Sequence, residues 1–589
     1  MSFDSSNLMP DGFQVLNLGI SSGVAPNTLQ NNQASFAINT QFRNGFPENR
    51  PGWVKRTLKF LDADGAEDAT IKANFEDGLF QGAAPFERRN RLVASVGGRL
   101  FSINLDNLTV LDVSISGDLN RSDLRKAWMT EAEDWIIVQD GQASPIFFDG
   151  AKSRRSDQSG EGGTKEVPTG TVISYNMGRL VVANSLGNAF IVGDIVFGPS
   201  GTSEYERRDS ILKVTENDYL NEGGAFGIPL NAGKITAMSP IAQLDTSTGQ
   251  GPLQVFTDRA VFSLNAPVDR TQWKNVQFPI QSVSAVNSGA TGFYSATQVN
   301  GDIWFRSQDG IRSLAVGYRE FGTWTNKPLS KEVDRILSKD DPNMLDFASA
   351  AIYDGNLLVS VSPYRDQDYG TLHKGFAVLD FNPNSAITGI ASPIWNGAWT
   401  GLNAHQIMSG NFNGVERCFI FARNSDDELE VWELDKRRVF DNDGTNDKRI
   451  TWWFEPKSFS FEDGGWALKK LEYADIWYDR IQGDVNFTLE YRKDQIECWQ
   501  DWHTWISCAS IESCIEDCMV PQNIKSQNRS RVRTPQPNED CDETSGKPWR
   551  IGYEFQPRIT VVGATRIKKF RMFTSPEAEE AMGACTNFA

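Results

Sequence analysis

"RLVASVGGRLFSI", residues 91–103, is two short alternating apolar runs joined at Gly97-Gly98. Alternation with period two places one set of side chains on one face of an extended strand, and a Gly-Gly pair supplies the positive φ angles of a tight hairpin turn. The same theme recurs in "DWIIVQDGQASPIFFDG" (134–150), "GRLVVANSLGNAFIVGD" (178–194), "GPLQVFTDRAVFSLN" (251–265) and "GDIWFRSQDGIRSLA" (301–315). It appears again in "NLLVSVSPYRDQDYGTLHKGFAVLDF" (356–381) and "ERCFIFARNSDDELEVWELD" (416–435). Repeated hairpins at a loose spacing of about 40 to 50 residues indicate propeller blades. The expectation is an all-β chain whose residues 61–435 form a degenerate β-propeller of six or seven blades.

Composition agrees. The 589 residues include 50 Gly, 25 Pro, 36 Phe and 17 Trp, the mix of many strands separated by turns. One of the few helical patterns is "LSKEVDRILSKDDPN" (329–343), with Val333, Ile336 and Leu337 on one face and Pro342 ending it. Past Asp435 a charged linker precedes longer strands, and residues 436–589 are expected to form a second, β-sandwich-like domain with a Cys- and Trp-rich insertion at 495–548.

The formal charge of −18 argues against a surface that grips nucleic acid. No run approaches the ~18 to 20 apolar residues of a membrane span, and the first residues lack a secretory pattern, so no membrane insertion and synthesis in a cytoplasm are expected.

Motifs for chemistry are sparse. Gly19-Ile20-Ser21-Ser22-Gly23 matches the pattern of a nucleophile elbow but is followed by Pro26 and an Asn/Gln run, and the chain has only three His. No catalytic residue and no cofactor are assigned. Asp62, Asp64 and Asp68, and again Asp441, Asp443 and Asp447, share a D-x-D-G-x-x-D spacing that offers oxygen ligands of calcium type. Neither loop has the closing Glu of an EF-hand, and exposed acidic turns are the preferred reading. Cys498, Cys508, Cys514, Cys518 and Cys541 cluster in the insertion; disulfides are preferred there over zinc, whose paired-Cys spacing is missing. Of the 17 Trp, 11 lie at or beyond Trp395, read as sandwich core rather than sugar platforms.

Residues 1–60 differ from everything after them. "GISSGVAPNTLQNNQASFAINTQFRNGFPENRPGWVKRTL" (19–58) is polar, and residues 1–60 carry five Lys or Arg against three Asp or Glu, a net +2 that leaves −20 for the rest. Such a segment is expected to be an extended arm. It would order only against an existing surface, its own propeller or an adjacent protomer, through Leu29, Phe36, Phe42 and Trp53. Deletion of residues 1–50 is expected to leave a soluble propeller that assembles poorly.

This segment resembles the N-terminal segment of the tail nozzle proteins of short-tailed bacteriophages, also called tail tubular protein B, and of related packaged-DNA stabilisation proteins. The positions that carry the resemblance are Gly19, Ile20, Ser21, Pro26, Leu29, Gln33, Asn39, Gly45, Arg50 and Pro51, then Thr57 and Leu58, with Gly52 and Trp53 completing a basic turn. It spans about forty residues of 589, and the chain is shorter than the long nozzle proteins. The resemblance implies a structural virion protein of the tail rather than an enzyme. It further implies a propeller joined in a homo-oligomeric ring, a hexamer, below the head-to-tail adaptor. Tail fibre or tailspike and tail-tip proteins would be its other partners, and DNA would pass loosely through the lumen. A lumen wall of acidic chains suits that role, because neutralising phosphates would retard passage. The reading held against it is a propeller that binds or cleaves carbohydrate on a host surface.

Overall fold

Gly97 and Gly98 adopt φ of 57° and 79°, and the strands on either side, Arg91–Val96 and Arg99–Asn104, pair antiparallel with Val96 opposite Arg99. Asn300-Gly301, Asp354-Gly355 and Asn413-Gly414 make the same two-residue turn with both φ positive, so local turn chemistry sets the register of these hairpins. In the computed structural model the described residues are 8–158, 165–194, 211–214, 225–241, 251–264, 267, 272–273, 280–283, 288–319, 328–382, 393–462, 464–508, 530–538 and 548–577.

Five separate sheets follow one another in a propeller arrangement. Their first long strands are Phe80–Phe86, Trp128–Ala132, Ile173–Asn176, Ile235–Pro240 and Ala296–Val299. Each of these strands packs against the next in that order. Apolar clusters fill the gaps between neighbours. Phe86, Val93, Met129 and Phe148 lie between the first and second sheets, and Phe256, Val261, Ile303 and Phe305 between the fourth and fifth.

The expected count of six or seven separate blades is corrected to five. The cause is one strand, Ile394–Phe412, 19 residues long. Its first half pairs with Gly370–Asp380 and its second half with Val415–Arg423, so the last hairpins are fused into one large curled sheet instead of standing as separate blades. Gln406 on this strand closes the circle onto the first sheet: its amide accepts from Ala83 N–H at 3.0 Å and donates to Ala83 C=O at 2.8 Å.

The same large sheet absorbs both ends of the described chain. Lys469–Lys493 and Phe555–Pro576 run antiparallel along most of their length. Met9–Phe13 and Thr451–Pro456 pair with the second of them, and Ala34–Ile38 pairs with Thr451–Pro456. Gln500–Cys508 and Ser530–Arg533, from the expected insertion, pair with the first. Strands expected to form a separate sandwich therefore belong to a continuous hydrogen-bonded sheet shared with the N-terminal segment and the last propeller hairpins. Its core joins Phe13, Leu16, Ile20 and Phe42 to Trp452, Phe487, Ile559 and Phe570. The expected helix near 329–343 is a short turn, Lys331–Val333 followed by Asp334–Leu337, with Val333, Ile336 and Leu337 buried. No described helix is long and apolar enough to cross a membrane.

Candidate functional site

The N-terminal segment meets the large sheet at a buried polar junction. Asn39 sits at φ 52°, in the left-handed region that Asn tolerates better than most residues, between Ala34–Ile38 and Thr40–Gln41. Its side-chain oxygen accepts from Arg50 Nε at 2.9 Å and from Thr400 N–H at 2.7 Å. Its amide donates to Thr451 C=O at 3.0 Å and to Thr400 Oγ1 at 3.2 Å.

Arg50 is 1% exposed, and all five of its N–H groups are used. Besides Asn39, its Nη1 and Nη2 form a fork on Asp441 at 2.7 and 2.9 Å, and the same nitrogens donate to Pro51 C=O at 2.8 Å and Thr400 C=O at 3.0 Å. The guanidinium lies 4.8 Å from the ring centre of Trp53, itself packed against Phe376 and Trp399. Asp441 also accepts Trp53 N–H at 2.8 Å.

The glycines of the segment are steric requirements. A Cβ on Gly52 would stand 2.0 Å from Phe440 C=O, and one on Gly19, at φ +65°, 2.4 Å from Trp395 C=O. Gly45, at φ 74°, accepts Leu16 N–H at 2.8 Å. Pro26 opens a short helical turn and its carbonyl accepts Ser458 N–H at 3.0 Å, while Gln33 donates its backbone N–H to Gln30 C=O at 3.1 Å. The segment thus lies on its own chain. Phe42 and Trp53 are 0% and 1% exposed and Leu29 and Phe36 are also buried, so the apolar side chains of the segment are part of the chain's own core. Without these residues the large sheet loses strands and part of its core.

The calcium candidates are engaged by local donors. Asp441 is the partner of Arg50. Asp62 accepts the N–H groups of Asp64 and Ala66 at 2.9 and 2.8 Å, while Asp64 is exposed. Asp68 caps the helix Ala69–Glu76, and the N–H groups of Ile71 and Thr70 hold its carboxyl below the usual range. Asp443 is held far lower by the N–H of Asn446, with the Thr445 hydroxyl and N–H and the Lys448 ammonium adding to it. Asp447 accepts from Arg438 at 3.1 Å and Asn442 at 2.7 Å. These are turn and ion-pair carboxylates, and among the described residues no group of three or more His, Cys, Asp or Glu is placed to hold a metal ion.

Cys508 is disulfide-bonded, whereas Cys498 is a free, exposed thiol. Cys514, Cys518 and Cys541 lie outside the described residues. The late tryptophans that the structure describes are mostly structural: Trp502 donates to Pro535 C=O at 2.9 Å, and Trp505 stacks on Phe487 with ring centres 4.9 Å apart.

Sequence reasoning did not find the cavity of about 570 Å³ on the propeller axis, because its lining comes from strands far apart in the chain. Glu131 there accepts the N–H groups of Glu87 and Arg88 at 2.8 and 3.2 Å, and burial raises its carboxyl. Tyr175 donates to Glu133 at 2.5 Å, and Arg88 pairs with Glu133 at 3.0 Å. These groups are committed to one another. On the paired strands Gly370–Asp380 and Ile394–Phe412, burial holds His373 at about 4 and His405 at about 3; His405 Nδ1 lies 2.9 Å from Thr371 C=O.

No family model matches the sequence, and no curated protein matches it. Among solved structures the chain is similar to the computationally designed Ika8 protein, at 9% identity and a TM-score of 0.30, covering 71% of this chain and 100% of that one. It is also similar to a chain of the mitotic checkpoint complex, at 8% identity and TM-score 0.34, covering 62% and 93%. Hsv2 of Kluyveromyces lactis gives 11% identity and TM-score 0.29, covering 61% and 98%. Likeness at this level carries no functional argument.

Proposed function

We propose that this chain is a structural subunit of a bacteriophage tail. In this reading it forms a ring, a hexamer, below the head-to-tail adaptor, and DNA is retained and ejected through the lumen. The observation that carries the reading is the junction around Arg50. Four of the twelve positions behind the resemblance to tail nozzle proteins, and Gly52 beside them, are also positions this fold requires: Gly19 and Gly52 for close backbone approach, Asn39 and Gly45 for left-handed backbone, Arg50 for a fully engaged buried fork. In this reading the motif is the means by which an N-terminal segment is joined to a propeller, and its structural use here supports the resemblance.

A chain at −18 also suits a conduit wall that repels phosphate. The last hairpins, fused through Ile394–Phe412, close the five-sheet arrangement in this reading, through the contact of Gln406 with Ala83. Tail fibre or tailspike and tail-tip proteins would dock on the assembled ring.

The test is location. Antibody raised against the chain should label the tail of phage particles that encode it, at one level along the tail axis. Labelling of the capsid, or absence of the chain from purified particles, overturns the proposal.

A further inference from the structure

Two surface patches of opposite sign stand outside the junction. On the large sheet, pairing places Arg571, Asp475 and Arg533 in one row across three strands, with Lys569, Trp477 and Arg531 in the next. Because successive residues face opposite sides of a sheet, Ala474, Ile476, Phe570 and Met572 enter the core and these rows face outward. The carboxylate of Asp475 holds Arg531 and Arg533. Guanidinium planes cover the rings: Arg533 lies 4.3 Å from the centre of Tyr473, Arg571 4.6 Å from Phe573 and Arg531 5.1 Å from Trp477. Lys569 and Arg571 are exposed, with no carboxylate partner among the described residues. A groove of about 880 Å³ runs beside them along Met9–Phe13.

The second patch is acidic and lies at two hairpin tips of the large sheet and at the end of the helix Ala69–Glu76. Glu76, Asp77, Asp366, Asp427 and Glu428 gather near Arg423, whose guanidinium is turned inward onto the carbonyls of Glu76, Gly78 and Asp427. Burial raises the Glu76 carboxyl, and the charges of Glu428 and Asp77 add to the rise while Lys72 opposes it. Asp368 and Asp426 are exposed at the tips of the same two hairpins.

The basic face fits carboxylates better than nucleic acid. Its rings are covered by guanidinium and leave little surface for base stacking, and the chain's net −18 opposes a polyphosphate. Arg531 and Arg533 of this face already donate to a carboxylate, that of Asp475.

We propose that the acidic hairpin tips of one protomer seat on the Arg/Lys face of the next. The contact joins two different patches, so it is head-to-tail and propagates into a ring when the rotation closes. The proposal rests on the ring reading above and names its interface.

The test uses the full chain in sedimentation velocity at about 0.15 M salt, where the Debye length is about 8 Å and close pairs still act. Three variants are compared with wild type: Lys569→Glu with Arg571→Glu, Asp368→Lys with Asp426→Lys, and all four together. Near-UV circular dichroism confirms folding, and Lys569→Gln with Arg571→Gln serves as the milder replacement. Each one-sided reversal should weaken association at least about tenfold, and the fourfold exchange should restore it. One-sided reversals that assemble like wild type overturn the contact while leaving the ring intact. A wild-type chain that stays monomeric at every concentration overturns the ring reading and the contact with it. If wild type binds a labelled oligonucleotide and the Lys569→Glu, Arg571→Glu variant loses that binding with assembly unchanged, the face belongs to phosphate and the proposal is overturned.

Discussion

Replacing Arg50 by Ala tests whether the junction holds the N-terminal segment to the rest of the chain. The substitution removes five donors at once. It leaves Thr400 C=O and the Asn39 side-chain oxygen short of a partner in a buried setting, and Asp441 without its counter-ion. Breaking a fully buried ion pair costs about 3–5 kcal/mol. The Asp441 side chain is 24% exposed and regains some water, which lowers the estimate, while an unsatisfied buried acceptor adds about 1–3 kcal/mol. A loss of about 4 kcal/mol is expected, read as a fall in the urea midpoint of the tryptophan-fluorescence transition at constant slope. Asp441→Ala and the double variant complete a cycle. Coupling of about 2 kcal/mol is expected for residues in one network. Arg50→Lys keeps the charge but not the fork, and should recover less than half of the loss. A loss below about 1 kcal/mol for Arg50→Ala, or additive single effects, refutes the reasoning.

Three further outcomes are expected. His373 and His405 are buried neutral, at about 4 and about 3, so the unfolded chain binds their protons first and stability falls as pH drops below about 6.5; His373 alone accounts for about 3 kcal/mol of that loss, which a His373→Leu variant should lack when urea midpoints are compared from pH 7 to 4. In the native protein a thiol reagent should modify Cys498 within minutes and leave Cys418 untouched, since burial pushes the Cys418 thiol far above its usual range; equal labelling contradicts the placement. Gly52→Ala drives a methyl group into Phe440 C=O and should give aggregated or unfolded chain, whereas Gly414→Ala, with open space around its Cβ but φ 79°, should cost only about 1–2 kcal/mol in the same assay.

The hairpins were legible because their information is local. Gly97-Gly98, Asn300-Gly301 and Asp354-Gly355 each encode a two-residue turn, and flanking alternation fixes which face is buried. The number of separate sheets was not legible, since the fusion depends on one strand continuing from Ile394 to Phe412 through two partners. The polar look of residues 19–58 misled for a related reason. A segment that supplies strands to a sheet needs only some apolar positions, and Ala34 and Phe42 are each buried between polar neighbours, Gln33 and Ser35 and then Gln41 and Arg43. Arg50 and Asp441 were both singled out in the sequence, one in a motif and one as a calcium candidate. Their pairing across 391 residues had no local signature. The cationic face escaped for the same reason, because Arg531, Lys569 and Arg571 come together only through strand register.

The central claim is that this chain builds a ring around a passage for DNA. Electron microscopy of the purified full-length chain, alone and mixed with the head-to-tail adaptor of the same phage, tests it most directly. The account predicts closed rings with an open lumen that stack coaxially on the adaptor. Isolated monomers that ignore the adaptor, or a chain that instead cleaves host-surface glycan, would contradict it.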